Sequence, residues 1–123
     1  MSKLASFTFT CLIVTIMILI AHANVEKYSS KYDHIDVDAV LANSRLRNQY
    51  VECLINISPC NTGSSRFVKE VFPEALITKC KKCTDKQVYI FNTIVEWFTK
   101  NEPETWDRIV RIIIENIQKK NAH

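Results

Sequence analysis

The sequence is poor in residues that turn a chain. It has one glycine, Gly63, and three prolines in 123 residues. β-Sandwiches and barrels need turn residues roughly every 8–12 positions, so an all-β fold is excluded. Loops that cradle phosphates need several glycines, so a glycine-rich nucleotide site is excluded too. Histidine is scarce: His22, His34 and His123. None sits in the rigid paired setting that a nucleophile and its base require, so no catalytic residue is identified and the chain does not read as an enzyme. Net charge is only +3, too little to point to nucleic acid.

Long apolar runs are also few, and the one present lies at the start. Lys3 is the only charge in residues 1–23, Cys11 to Ile20 is apolar apart from Thr15, and Ala21-His22-Ala23 follows. This is the order of a secretory signal peptide with a small-residue cleavage site. The alternative, a membrane anchor, is marginal because Leu4 to Ile20 is short for a span and carries Ser6, Thr8 and Thr10. Cleavage after Ala23 leaves residues 24–123, a single soluble domain of 100 residues with no membrane insertion. Removing Lys3 and Cys11 with the signal leaves a formal charge of +2 and an even four cysteines.

Those four are Cys53, Cys60, Cys80 and Cys83. In a small secreted domain they read as disulfides. Spacing does not choose among the three pairings. The loop-entropy model credits a short loop with roughly 2–2.5 kcal/mol and a long one with roughly 3.5–4 kcal/mol, so entropy favours a long-range pairing. A four-cysteine zinc site fits poorly, because six residues separate the first two cysteines. A redox Cys80-Lys81-Lys82-Cys83 site normally follows a strand, and no strand pattern precedes it.

Apolar residues recur with helical period. Val88, Ile90, Phe91, Ile94, Val95, Trp97 and Phe98 fill half of a wheel drawn at about 100° per residue. Thr84-Asp85 can cap this helix, and Pro103 ends it near Asn101. Pro103 and Glu104 suit the first turn of the next, with Trp106, Ile109, Val110, Ile113 and Ile117 as its stripe. Ile112 and Ile114 flank that stripe, and Gln118 to His123 reads as frayed. Asp36 can cap a short helix holding Val37, Val40 and Leu41. Asn43 or Ser44 can cap another, with Leu46, Tyr50, Cys53 and Ile57 on one face. Pro59 to Ser65 reads as a loop. Arg66 to Lys82 is helical in pattern, and Pro73 is expected to start a second segment or kink the first. Asn24 to His34 is polar, extended or mobile. Five or six helices result, an all-α fold.

Polar clusters have plain readings. Asp33, Asp36 and Asp38 form a capping, solvated turn rather than a metal site. Lys79, Lys81, Lys82 and Lys86 form a solvated face. Asn56-Ile57-Ser58 is a formal glycosylation acceptor, but Pro59 follows directly, so it is expected to stay mostly unmodified. No metal or cofactor is implied. Tyr50, Phe67, Phe72, Phe91, Trp97, Phe98 and Trp106 all fall in predicted helices. Most serve as core, but short helices around one apolar helix can leave a gap that holds a lipophilic ligand.

Taken together, these stretches resemble the insect chemosensory proteins, the OS-D-like family. Tyr32-Asp33-His34-Ile35-Asp36-Val37-Asp38 with Val40-Leu41 is similar to the family's opening motif. Ser44-Arg45-Leu46 through Tyr50-Val51-Glu52-Cys53-Leu54 resembles its next helix. Pro59-Cys60, Pro73-Glu74-Ala75-Leu76, Cys80-Lys81-Lys82-Cys83-Thr84 and Gln87 resemble its middle, and Pro103-Glu104 with Trp106 its late turn. The resemblance covers about residues 28–107. It implies a compact bundle of about six short helices around an apolar channel. It implies sequential disulfides, Cys53 with Cys60 and Cys80 with Cys83. It also implies a secreted monomer that carries lipophilic molecules such as fatty-acid derivatives or pheromone components, with Tyr50 near the channel mouth. The residues expected to line the channel are Tyr50, Phe67, Val71, Leu76, Val88, Phe91, Val95 and Phe98. Two stretches depart from the family: Ser64-Ser65-Arg66 after Gly63, and Ile112-Ile113-Ile114 with Ile117 in place of its usual tail. Should Ile112 and Ile114 form a solvent-facing patch, an extracellular interaction protein or developmental effector becomes the alternative.

Overall fold

In the computed structural model, residues 10–15 and 25–122 are described. Lys3, the Ala21-His22-Ala23 cleavage motif and His123 lie outside them. Residues 10–15 form a helical stretch, α1. No helix among the described residues is long and apolar enough to cross a membrane. Five further helices follow: α2 (Val37–Ala42), α3 (Ser44–Leu54), α4 (Gly63–Thr78), α5 (Asp85–Asn101) and α6 (Pro103–Asn121).

Side-chain caps start four of the five. Asp36 Oδ1 accepts from the Ala39 N–H at 3.1 Å, and Asn43 Oδ1 accepts from the Leu46 N–H at 3.1 Å. Thr62 with Ser65, and Thr84 with Gln87, form reciprocal capping boxes at α4 and α5. Pro103 opens α6, where a missing N–H costs nothing.

Helix ends are built almost without glycine. Asn56, Lys79 and Cys80 adopt φ of 66°, 55° and 62°. That left-handed region costs a non-glycine residue roughly 1–2 kcal/mol. Each of these turns is held by a short disulfide. Cys53–Cys60 brackets Asn56, and Cys80–Cys83 begins one residue after Lys79. The pairing is thus sequential, and loop entropy alone would have chosen otherwise. Gly63 does not use its freedom for a turn; it is the first residue of α4. A Cβ there would overlap the Tyr32 hydroxyl, so glycine makes room for that ring.

The helices pack α2 on α3 and α5, α3 on α4, α4 on α6 and α5 on α6. Val37, Leu41, Ile55, Phe72, Phe98, Ile109 and Ile113 form the core. Phe72 sits at its centre, its ring 5.5 Å from Phe91 and 6.4 Å, edge-on, from Trp106. A smaller cluster joins Ala75, Cys80 and Cys83 to Tyr28 and Phe91.

The structure corrects several expectations. Helix α4 begins at Gly63, inside the expected loop, and ends at Thr78, short of Lys82. It runs through Pro73 as one element, so no second segment starts there. Phe72 and Ala75 on either side of it are 6% and 3% exposed, and that burial offsets the lost backbone bond. Residues 118–121 continue α6 instead of fraying; Ile117 packs on the core, and Lys119 and Lys120 suit the helix's negative end. Ile57 does not extend the α3 face, because the left-handed turn at Asn56 turns it into solvent. The segment 25–35 is not wholly extended: residues 31–34 make a turn, and the segment is tied to the rest of the chain. The Tyr28 N–H donates to the Lys82 carbonyl at 2.8 Å, and Gln87 Nε2 donates to the Ser29 carbonyl at 2.8 Å.

Candidate ligand channel

An apolar cavity of about 150 Å³ runs between the helices and opens to solvent. Helix α5 forms one wall through Gln87, Ile90, Phe91, Ile94 and Phe98. Helix α4 contributes Phe67, Val68, Val71, Phe72 and Ala75, and α3 contributes Arg47, Tyr50, Val51 and Leu54. Trp106 and Ile109 of α6 close the back, and Cys80 and Cys83 bring the second disulfide to the wall.

Of the eight residues expected to line a channel, Tyr50, Phe67, Val71, Phe91 and Phe98 do so. Leu76, Val88 and Val95 do not. The lining stripe of α5 is narrower than half a wheel, and Val88 and Val95 sit seven residues apart on its flank. Val88 is 37% exposed. Leu76 lies on the flank of α4 and packs partly buried against the core.

Four lining residues come from the segment 25–35: Tyr28, Tyr32, Asp33 and Ile35. Sequence reasoning set the aromatic and aliphatic ones aside because their neighbours are polar. Their recurrence within a polar stretch was the available signal. The Tyr32 ring lies 5.3 Å from Phe67. Tyr32, Ile35, Val40 and Tyr50 also face a shallow open depression beside α2 and the start of α4, and so separate it from the channel. The Tyr50 hydroxyl is 2.8 Å from Ser64 Oγ, part of a hydroxyl chain with Thr62.

The acidic cluster separates into three roles. Asp33 accepts from Thr84 Oγ1 at 2.7 Å and from Gln87 Nε2 at 2.8 Å, tying the segment to α5. Asp36 caps α2. Asp38 accepts from the Tyr89 hydroxyl at 2.9 Å, which raises that phenol's pKa. Among the described residues no group of three or more His, Cys, Asp or Glu is placed to hold a metal. Tyr28 donates to Glu74 Oε1 at 2.8 Å, and Lys82 lies 3.3 Å from the same oxygen. Burial, reinforced by Glu74, raises the Tyr28 pKa. The hydrogen bond from Tyr28, then Lys82, lowers that of Glu74.

At the other end of α5, Arg47 is a cation on the apolar face of α3. It precedes Tyr50, Val51 and Leu54 by three, four and seven residues, a helical stripe. A charge at an apolar position was the signal missed here. In α6, Ile113 is buried and Ile112 and Ile117 pack on the core; Ile114 is 43% exposed. The two-isoleucine patch that would favour an interaction protein is not formed.

The family model described as the insect pheromone-binding family, A10/OS-D, matches residues 28–121. The chain is 36% identical over 98 residues to ejaculatory bulb-specific protein 3 of Drosophila melanogaster, spanning 80% of this chain and 77% of that one. It is 40% identical over 96 residues to allergen Tha p 1 of Thaumetopoea pityocampa, spanning 77% and 75%. Its fold is similar to that of a chemosensory protein solved in complex with bromo-dodecanol. The TM-score is 0.67 at 35% identity, over 76% of this chain and 95% of that one. With that fold, both disulfides and the apolar channel in place, the chain belongs to the insect pheromone-binding A10/OS-D family.

Proposed function

We propose that this protein is a secreted, monomeric carrier of small hydrophobic molecules, acting by binding and release rather than by catalysis. The observation that carries the reading is the apolar channel between α3, α4 and α5, in a chain of the same fold as a chemosensory protein solved with bromo-dodecanol. Ligands with a linear chain of that class would lie along α5, against Phe91, Ile94 and Phe98. Burial of apolar surface at about 25 cal/mol per Å² brings micromolar affinity within reach without a charged anchor.

Volume bears on mechanism. A cavity of about 150 Å³ is of the size that holds a single small ring. A dodecyl chain therefore enters only as the wall aromatics and helices move apart, and leaves by the same motion. The effector reading loses its support, because Ile114 stands exposed without Ile112. Thiol redox is disfavoured as well: Cys80 and Cys83 are 8% and 5% exposed and joined to each other.

The test is displacement. A fluorescent naphthylamine probe is expected to bind the purified protein one-to-one and to be displaced by 1-dodecanol. Failure of medium- and long-chain lipids to displace it, with no lipid co-purifying by mass spectrometry, would end the carrier reading.

A further inference from the structure

Burial of a chain uses the channel's apolar walls but not the charge at its end. The Arg47 guanidinium is held from two sides that need no ligand. Its Nη1 donates to the Leu41 carbonyl at 2.5 Å, and its Cζ lies 4.4 Å from the centre of the Trp97 ring. Its third neighbour is Glu102, with Oε2 at 3.2 Å from Nε. That contact is close but badly aimed: both atoms are buried, and neither makes a hydrogen bond. A guanidinium stays protonated and binds carboxylates best through paired, aligned N–H bonds. Here it has the charge of a carboxylate beside it without those bonds.

The two partners differ in freedom. Glu102 caps both α5 and α6 at their junction, and its side chain is 34% exposed against 15% for Arg47. Apart from Arg47, Glu102 is held by the Thr105 hydroxyl, which donates to its Oε1 at 3.2 Å; turning into water breaks that one bond, while Arg47 is pinned against the channel wall. The opposite end of the channel carries the opposite sign. Asp33 lines it beside Gln87, and the ten residues from Gln87 to Trp97 span about 15 Å of helix.

Resting on the carrier reading above, the geometry points to Arg47 as the residue that reads the ligand's head group. An amphiphile bearing a carboxylate sets it on Arg47 and displaces Glu102 to solvent. Its tail runs along α5 toward Asp33, whose charge opposes the reverse orientation. Arg47 thereby sets specificity for anionic over neutral head groups on the same chain.

The experiment is displacement of the naphthylamine probe by dodecanoic acid and by 1-dodecanol, in the wild type, Arg47→Met and Glu102→Gln. Arg47→Met is expected to weaken the acid about tenfold relative to the alcohol, the scale of one charge-assisted bond. Glu102→Gln removes the competing carboxylate and is expected to tighten the acid while sparing the alcohol. Equal weakening of both ligands by Arg47→Met, or no change in the acid, overturns the proposal. If Arg47→Met does not fold, Glu102→Gln decides alone: unchanged acid affinity overturns the proposal. Alcohol binding with none of these acid effects sinks the head-group assignment and leaves the carrier standing; no displacement by either lipid sinks both.

Discussion

The two ends of the channel are closed by different physics. At the Asp33 end the polar groups find good partners: Thr84, Gln87, Glu74 and the Lys82 backbone bind the N-terminal segment at 2.7–2.8 Å. At the Arg47 end one ion pair at 3.2 Å leaves two buried atoms without hydrogen bonds. A satisfied polar network rigidifies what it joins, whereas a half-satisfied one is a weak point. The contrast makes the first end a wall and leaves the second the less well hydrogen-bonded end.

The aromatic seam joining the two ends should give the largest effect. Phe72 touches both Phe91 and Trp106, so Phe72→Ala is expected to cost about 3–5 kcal/mol in urea unfolding. A cost near 1 kcal/mol would mean that the ends are not coupled through it. Next comes the wall itself. Asp33→Ala removes two charge-assisted bonds and is expected to cost about 2 kcal/mol, with faster amide exchange at Tyr28. Breaking the other end should cost less. Glu102→Ala is expected to cost about 1 kcal/mol, because its side chain is partly in water and its pair is not hydrogen-bonded. An equal loss from Asp33→Ala and Glu102→Ala would erase the distinction between wall and weak point.

Acid gives a smaller, directional effect at the wall. The Glu74 pKa is lowered in the fold. Its contribution is therefore present above the ordinary carboxylate pKa and lost as pH falls through the lowered folded value. Stability measured across that range should fall more in the wild type than in Tyr28→Phe. Smallest of all, Val88→Ser, on the exposed flank of α5, should change stability and probe binding by no more than about 0.5 kcal/mol.

How much was legible depended on whether the signal was local. Caps at Asp36, Asn43 and Thr84 and the breaks at Asn101 and Pro103 follow from short-range chemistry, and the helices begin and end there. The disulfide pairing followed from the family likeness, while loop entropy pointed the other way. Its structural reason is visible only in three dimensions, where each bridge braces a left-handed turn that a glycine-poor chain must make with Asn56, Lys79 and Cys80. Pro73 does not start a new segment, because burial of Phe72 and Ala75 outweighs a local rule.

The channel was half legible for a related reason. Period marks which face of a helix is apolar, so Phe91 and Phe98 were identified. It does not separate the lining stripe from its flanks, so Val88 and Val95 were taken with them. It also misses residues that reach the channel from outside the helices, as Tyr28 and Tyr32 do, or that carry charge, as Arg47 does.

The central claim is that a lipophilic chain occupies the space between α3, α4, α5 and α6. Trp106 lines that space and Trp97 does not, and bromine quenches a tryptophan only at close range. The direct measurement is fluorescence of Trp97→Phe, which keeps Trp106, and of Trp106→Phe, which keeps Trp97, titrated with a bromo-dodecanol. The account predicts saturable, one-to-one quenching of Trp106 and much weaker quenching of Trp97. Equal quenching of both, or none at Trp106, would contradict it.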